Sequence, residues 1–149
     1  MAQQKHLELE DLGEDVKKVL IDCGKQLKSA PFKDNGENFE VIDDRKTLEE
    51  ASRDFVKIQS SKVSAWARSM IAVSDLKKRK CRLIAWRFPK PMTLPIPLNV
   101  TLDLIPCEIS GTPTIGGRPV EVGQSRYLNK AVEVQPSFTC LVRVYGPAS

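Results

Sequence analysis

The hydrophobic residues of this 149-residue chain change their spacing near Lys80, and that change limits the fold more than any other feature. Before this point apolar residues recur three and four positions apart, which is typical of amphipathic helices. From Cys81 onward they alternate, and residues 81–88 are apolar on both faces apart from Arg82 and Arg87, as in a strand that is covered on both sides. The sequence therefore predicts an α+β fold, with about three N-terminal helices followed by a mostly antiparallel four-stranded sheet.

The first predicted helix covers residues 7–28, with one narrow apolar stripe. The stripe has spacings of 3, 4, 3 and 4 and consists of Leu9, Leu12, Val16, Val19 and Cys23. Because a stripe this narrow packs against a single partner, we expect it to contact the body of the same domain. The alternative is self-association through Leu9, Leu12, Val16 and Val19 of two copies.

Two further helices are predicted before the sheet. Thr47 and Glu50 have the capping-box spacing, so a helix should begin at Thr47 and continue to about Gln59. Ser60 and Ser61 can interrupt this helix and cap a third one; the alternative is a single long helix that bends at the two serines. The apolar face of this third helix would contain Val63, Trp66, Met70 and Val73.

Several local signals follow the first predicted strand. Residues 88–98 contain four prolines in eleven positions, which predicts an extended connector. Gly116-Gly117 indicates a tight turn, and residues 132–134 and 138–145 alternate as strands do. We divide the chain into residues 1–30, an amphipathic helix with an assembly arm as the alternative, and residues 31–149, a single α+β domain.

The charge is divided very unevenly along the chain. Residues 1–56 carry 9 basic and 14 acidic side chains, a net charge of −5. Residues 57–90 carry 10 basic side chains and one acid, Asp75, a net charge of +9, and residues 91–149 are neutral. Crowded like charges repel one another, so a partner molecule or the acidic segment should oppose the basic one.

The first functional hypothesis is nucleic-acid binding, with RNA preferred to DNA. Lysine and arginine neutralise phosphates without reading the bases, and no motif for sequence-specific recognition is present. Trp66 and Trp86 lie in the same segment, but each sits on an apolar face, which favours the core over base stacking. The predicted contacts with the polyanion are Lys62, Arg68, Lys77, Lys78, Arg79, Lys80, Arg82, Arg87 and Lys90.

The second functional hypothesis is a self-associating structural protein of the viral matrix type. The acidic segment of one copy would meet the basic segment of the next and form a homo-oligomer. Its cationic surface would bind an anionic membrane or a nucleocapsid. The comparison is one of type, because no motif of the chain matches a family.

Residues for catalysis or cofactor binding are not evident. The lone histidine, His6, lies near the terminus, and the four cysteines are far apart, so we predict no enzyme activity, metal, cofactor or small-molecule substrate. Cys107 and Cys140 lie in strands that could be neighbours, and an oxidising environment could join them.

The N-terminus indicates an intracellular, cytoplasmic protein. It has acidic residues where a signal peptide needs an apolar core, and no apolar run approaches the ~20 residues that cross a bilayer. Lys77–Lys80 also has the composition of a nuclear localisation signal, which is the alternative location.

Overall fold

The computed structural model describes residues 7–34, 39–42, 44–59, 79–97 and 100–148. Within these ranges the chain forms two helices and eleven strands. In chain order the elements are β1 (Leu7–Asp11), α1 (Glu14–Lys28), β2 (Phe32–Asp34), β3 (Glu40–Ile42), α2 (Arg45–Gln59), β4 (Arg79–Phe88), β5 (Met92–Leu94), β6 (Thr101–Ile109), β7 (Thr114–Ile115), β8 (Arg118–Pro119), β9 (Gln124–Leu128), β10 (Val132–Gln135) and β11 (Phe138–Ala148).

The described strands form two antiparallel sheets. The large sheet has seven strands in the order β1-β9-β6-β11-β4-β3-β2, and the small sheet has four in the order β5-β10-β7-β8. The long strands β6, β11 and β4 are adjacent at the centre of the large sheet. The fold is therefore built around one ladder of three long strands, with shorter strands added at both edges.

The large sheet lies between two layers. On one face both helices pack against it, with Leu20 of α1 and Phe55 of α2 buried beside Ile105 of β6. On the other face the small sheet covers it, and Ile115 of β7 shares a buried cluster with Leu104 of β6. Because the central strands are covered on both faces, each contains consecutive apolar residues, such as Leu83–Trp86 of β4. This arrangement confirms the two-sided strand predicted at residues 81–88.

The predicted fold class is wrong. Strands are interleaved with the helices, since β1 precedes α1 and both β2 and β3 lie between α1 and α2, and the described residues contain eleven strands in two sheets instead of four in one. Five of these strands are only two or three residues long, which is too short to show an alternating pattern. The predicted third helix, with Val63, Trp66, Met70 and Val73, lies outside the described residues.

The predicted helix over residues 7–28 begins only at Glu14. Leu9 belongs to β1, where it pairs with Arg126 of β9. Gly13 separates the strand from the helix with a φ of 92°, a left-handed conformation that an α-helix does not contain. The prediction failed because a short strand and the turn after it happen to continue the helical spacing of the apolar residues.

The second helix begins at Arg45 rather than at the predicted Thr47. Asp44 caps it: its carboxylate accepts hydrogen bonds from the backbone N–H of Lys46 at 3.0 Å and from the Thr47 hydroxyl at 2.7 Å. The hydrogen bonds from Thr47 hold the pKa of Asp44 below its usual value. Thr47 therefore takes part in the cap as a donor to the aspartate, and not as the capping residue itself.

Gly24 lets α1 approach the sheet, and its replacement by alanine should destabilise the protein. A Cβ atom at this position would overlap the backbone carbonyl of Cys107 on β6. An exposed Gly→Ala change in a helix is worth up to about 1 kcal/mol of added stability. Here we expect a loss of about 1–3 kcal/mol, because α1 must move away from the sheet.

Urea unfolding measures the effect of Gly24→Ala directly. Lys25→Ala is the matched control, since Lys25 is the next residue of α1 and is exposed, and it should change the free energy of unfolding by less than about 0.5 kcal/mol. A Gly24→Ala protein as stable as the unmodified chain, or more stable, would show that α1 does not lie this close to β6.

Candidate functional site

The nine predicted polyanion contacts divide into three groups. Lys62, Arg68, Lys77 and Lys78 lie outside the described residues. Arg79, Lys80 and Arg82 belong to β4, where their backbone is described but their side chains are not. Arg87 is partly buried near the end of β4, and Lys90 is exposed just beyond it. Arg79 and Lys80, which precede the strand predicted from Cys81, are the first two residues of β4.

The strand that carries these cations extends past its neighbours. β4 pairs with β11 as far as Arg79, whereas β3 pairs with β4 only at Trp86 and Arg87. On the other side, β6 pairs with β11 only as far as Tyr145. Among the described strands, the first part of β4 thus has β11 as its single neighbour. The two strands form a ribbon, and Arg79 and Lys80 lie on its extended end, whereas Arg82 pairs with Val144, which β6 still reaches at Leu102.

Arg87 has a structural role inside the molecule. Its guanidinium lies 3.3 Å from the Glu40 carboxylate, and its Nη2 atom is 3.4 Å from the carbonyl oxygens of both Leu27 and Lys28 at the end of α1. It also stacks over the Phe32 ring, 4.0 Å from the ring centroid. A cation is favoured at a helix C-terminus by the helix dipole. Arg87 therefore connects β4 to α1, β2 and β3.

The acidic strand β1 lies far from the basic end of β4. Three strands, β9, β6 and β11, separate the two in the large sheet. At the usual spacing between strands, four intervals amount to about 19 Å. This exceeds the screening length of about 8 Å at physiological salt, so the Leu7–Asp11 segment contributes little to neutralising β4 of the same molecule.

An apolar cavity of about 730 Å³ opens between the large sheet and the proline-rich connector. Its walls come from β3 and the residue before it, from β4, β5, β6 and β11, and from the residues between β5 and β6. Every residue that is known to line it is apolar: Phe39, Val41, Ile42, Ile84, Ala85, Trp86, Leu94, Pro95, Ile96, Pro97, Val100, Leu102 and Val144.

An aromatic cluster forms one side of this cavity. The ring centroids of Phe39 and Trp86 are 4.7 Å apart, and Phe88 lies 5.5 Å from Phe39 and 5.0 Å from Phe138. Phe88 is completely buried, whereas Trp86 is only partly buried and lines the cavity. Trp86 packs against the core, as the sequence predicted, and also presents part of its surface to the cavity.

The cavity and the cationic end of β4 are adjacent. Position 82 pairs in register with Val144, which lines the cavity, and Ile84, two residues further along β4, lines it as well. Directly opposed residues on antiparallel strands have Cβ atoms about 4.5–5.5 Å apart. A basic residue therefore stands next to the apolar wall.

Sequence reasoning did not find this cavity. Its lining comes from five separate segments, and the pattern of each segment indicates only core or connector. The nearest signals were Ile96, which is apolar although its connector is too rich in proline for a central strand, and Val100, which follows the connector. Both are partly exposed, which an alternating pattern cannot reveal.

The predicted self-association residues do not form one stripe. Leu9 lies on β1 and is 40% exposed, whereas Val16 is buried between α1 and the sheet with 1% exposure. Leu12 and Val19 are partly buried and pack against the same helix-side cluster. For Val16 and Val19 the structure shows the intramolecular packing that the sequence favoured. Self-association itself stays a prediction.

Three cysteines are buried free thiols: Cys23, Cys107 and Cys140. A hydrogen bond with Cys23, together with burial, raises the pKa of the Cys107 thiol well above its ordinary value, and burial raises that of Cys140. β6 and β11 are neighbours, as predicted, but Cys107 belongs to the helix-side cluster and Cys140 to the cluster on the other face. The sheet separates them, so they do not pair.

The described ranges hold no group of three or more histidine, cysteine, aspartate or glutamate side chains that could bind a metal ion. None of the helices in these ranges is both long and apolar enough to cross a membrane. No protein-family model matches the chain, and no curated protein matches its sequence. Function must therefore be inferred from the cationic ribbon and the apolar cavity beside it.

Proposed function

We propose that this chain is a non-enzymatic protein that binds nucleic acid, RNA in preference to DNA, through backbone phosphates and with little sequence specificity. The observation that carries the proposal is the net charge of +9 on residues 57–90. The extended end of the β4–β11 ribbon, far from the acidic strand β1, supports it. Such a cluster binds phosphates because counterions released from the nucleic acid gain entropy.

Replacing Lys77, Lys78, Arg79 and Lys80 together by glutamine tests this role. For single-stranded RNA each phosphate contact contributes about 0.7 to the slope of log K against log salt, so five or six contacts predict a slope of about −4. The quadruple variant should lose about 3 of that slope. Fluorescence anisotropy with a labelled single strand, repeated over a range of salt, provides the measurement.

The matched control replaces four exposed lysines outside residues 57–90 by glutamine: Lys18, Lys25, Lys46 and Lys130. Both quadruple variants change the net charge equally, so only a local site separates them. An equal loss of slope in the two variants would show that binding depends only on the net charge of the chain. It would contradict a site in residues 57–90.

A second candidate function is the structural protein of the viral matrix type, which self-associates and binds an anionic membrane. The apolar cavity next to position 82 favours it, because a phosphate backbone needs cations alone, whereas a membrane offers both anionic head groups and hydrocarbon. Here the acidic segment of one copy would also meet the basic segment of the next.

Self-association should depend on salt. We expect the mass measured by light scattering to grow with protein concentration at low salt and to fall toward that of the monomer as salt screens the opposite charges. The variant without the cations of residues 77–80 should associate less than the control variant. A strictly monomeric protein at every salt and concentration would contradict assembly through these segments.

A further inference from the structure

We infer that the apolar cavity receives an acyl chain of an anionic membrane lipid, whose head group lies beside position 82 at the basic start of β4. This inference rests on the second candidate function, binding to an anionic membrane. It adds a defined lipid site to what would otherwise be attraction between a charged surface and a bilayer.

The size and the lining of the cavity define the occupant. Its volume of about 730 Å³ lies within the usual range for small-molecule sites, roughly 300–1,000 Å³. Apart from the indole N–H of Trp86, the side chains that are known to line it offer no hydrogen-bond donor or acceptor. Backbone polar atoms supply the smaller part of the exposed lining, and the larger apolar part favours a hydrocarbon chain, because each of its methylene groups gains by leaving water.

The charge at the rim selects an anionic head group. Position 82 is an arginine that pairs in register with Val144 and lies two residues before Ile84, both of which line the cavity, so the apolar lining ends at a basic position of β4. Lys77 to Lys80 precede it in the sequence. An apolar interior that adjoins a cationic rim matches a lipid with a negative head group, because the acyl chain packs in the cavity while the head group lies near the cations.

Other occupants would either neutralise the cations or fill the apolar cavity, but would not do both. Nucleic acid would neutralise the cations and leave the hydrocarbon-lined space unfilled. An apolar segment of a second copy would fill the space, but lipid chains would then have no access to Trp86. The occupants differ in whether lipid chains reach Trp86, so the fluorescence of Trp86 reports whether an acyl chain is bound.

Quenching of Trp86 by brominated acyl chains tests the inference in the full chain. The Trp66→Phe variant leaves Trp86 as the single tryptophan. Vesicles of phosphatidylserine and phosphatidylcholine with brominated chains should remove most of its fluorescence, while bromine-free vesicles of the same composition and brominated phosphatidylcholine alone should not. In the same background Arg82→Gln should weaken vesicle binding more than Lys130→Gln, an exposed control.

A cavity-narrowing variant separates chain insertion from surface binding. Val100 is partly buried in the wall of the cavity, and Val100→Phe should abolish quenching while cosedimentation with anionic vesicles persists. Ile96→Phe repeats the test from within the connector. Quenching that survives both substitutions would overturn the inference.

The outcomes distinguish this inference from the proposals on which it rests. Cosedimentation with anionic vesicles without quenching overturns the acyl-chain site and leaves membrane binding intact. Binding of RNA but not of vesicles overturns both the site and the second candidate function. Quenching by monomeric brominated stearate, with none by vesicles, would assign the cavity to a free fatty acid and overturn the membrane source. Binding of neither RNA nor vesicles overturns polyanion binding altogether.

Discussion

Replacement of Phe88 by alanine should lower the free energy of unfolding by about 3–5 kcal/mol. The Phe88 side chain is completely buried, and its ring lies 5.5 Å from that of Phe39, 6.2 Å from Trp86 and 5.0 Å from Phe138. Truncation removes the centre of this cluster and leaves a hole, because the surrounding aromatic rings are held by β4, by β11 and by the residue that precedes β3. In a domain of this size the melting temperature should fall by roughly 6–20 °C.

Thermal and urea unfolding of Phe88→Ala provide the measurement. Val56→Ala is a suitable control, since Val56 is 46% exposed on α2 and its truncation should cost less than about 0.5 kcal/mol. If both substitutions had equally small effects, the small sheet and β4 would not enclose a packed core at Phe88.

Replacement of Asp103 by asparagine should cost about 3–5 kcal/mol, as expected for the loss of one partner of a buried ion pair. Asp103 is completely buried on β6, and its Oδ2 atom lies 3.2 Å from the Nε atom of Arg143 on β11. The Arg143 side chain is only 15% exposed, and its guanidinium lies 5.5 Å from the centroid of the Phe55 ring. Asparagine keeps the shape of the aspartate but removes the negative charge that lies 3.2 Å from the guanidinium.

A double-mutant cycle separates the pair from its surroundings. Asp103→Leu combined with Arg143→Met removes both charges, and it should cost less than the sum of the two single substitutions. Arg45→Gln, which breaks the exposed Arg45–Glu49 pair, should cost about 0.5 kcal/mol or less. Strictly additive single effects would contradict a direct interaction between Asp103 and Arg143.

The parts of the fold that the sequence predicts correctly are those with a local cause. The alternation at residues 138–145 lies in β11, and Gly116 and Gly117 form the predicted turn between β7 and β8 with φ values of 59° and 80°. Such features depend on neighbouring residues alone. They do not determine how many strands join a sheet.

The errors arise where distant contacts decide the structure. Leu9 fits a helix by spacing but lies in β1, because β9 provides a strand to pair with. Gly24 weakens a helix by its intrinsic propensity, yet it permits the close contact between α1 and the carbonyl of Cys107. Neither partner is near in the sequence, so no window of the sequence contains the deciding contact.

The candidate site shows the same division. The uneven charge of residues 57–90 is visible in the sequence, and so is the isolation of Asp75 as the single acid. The engagement of Arg87 with Glu40 and the end of α1 is not visible, because it brings together residues from three elements. The cavity is equally invisible, since it exists only where the connector passes over the large sheet.

Competition between single-stranded RNA and anionic vesicles for the unmodified chain tests most directly the central claim that residues 57–90 bind a phosphate-bearing polyanion. We predict that the chain binds both at about 100 mM salt, that RNA displaces it from the vesicles, and that raising the salt weakens both complexes steeply. Failure to bind either partner at that salt, or binding that salt does not weaken, would contradict the claim.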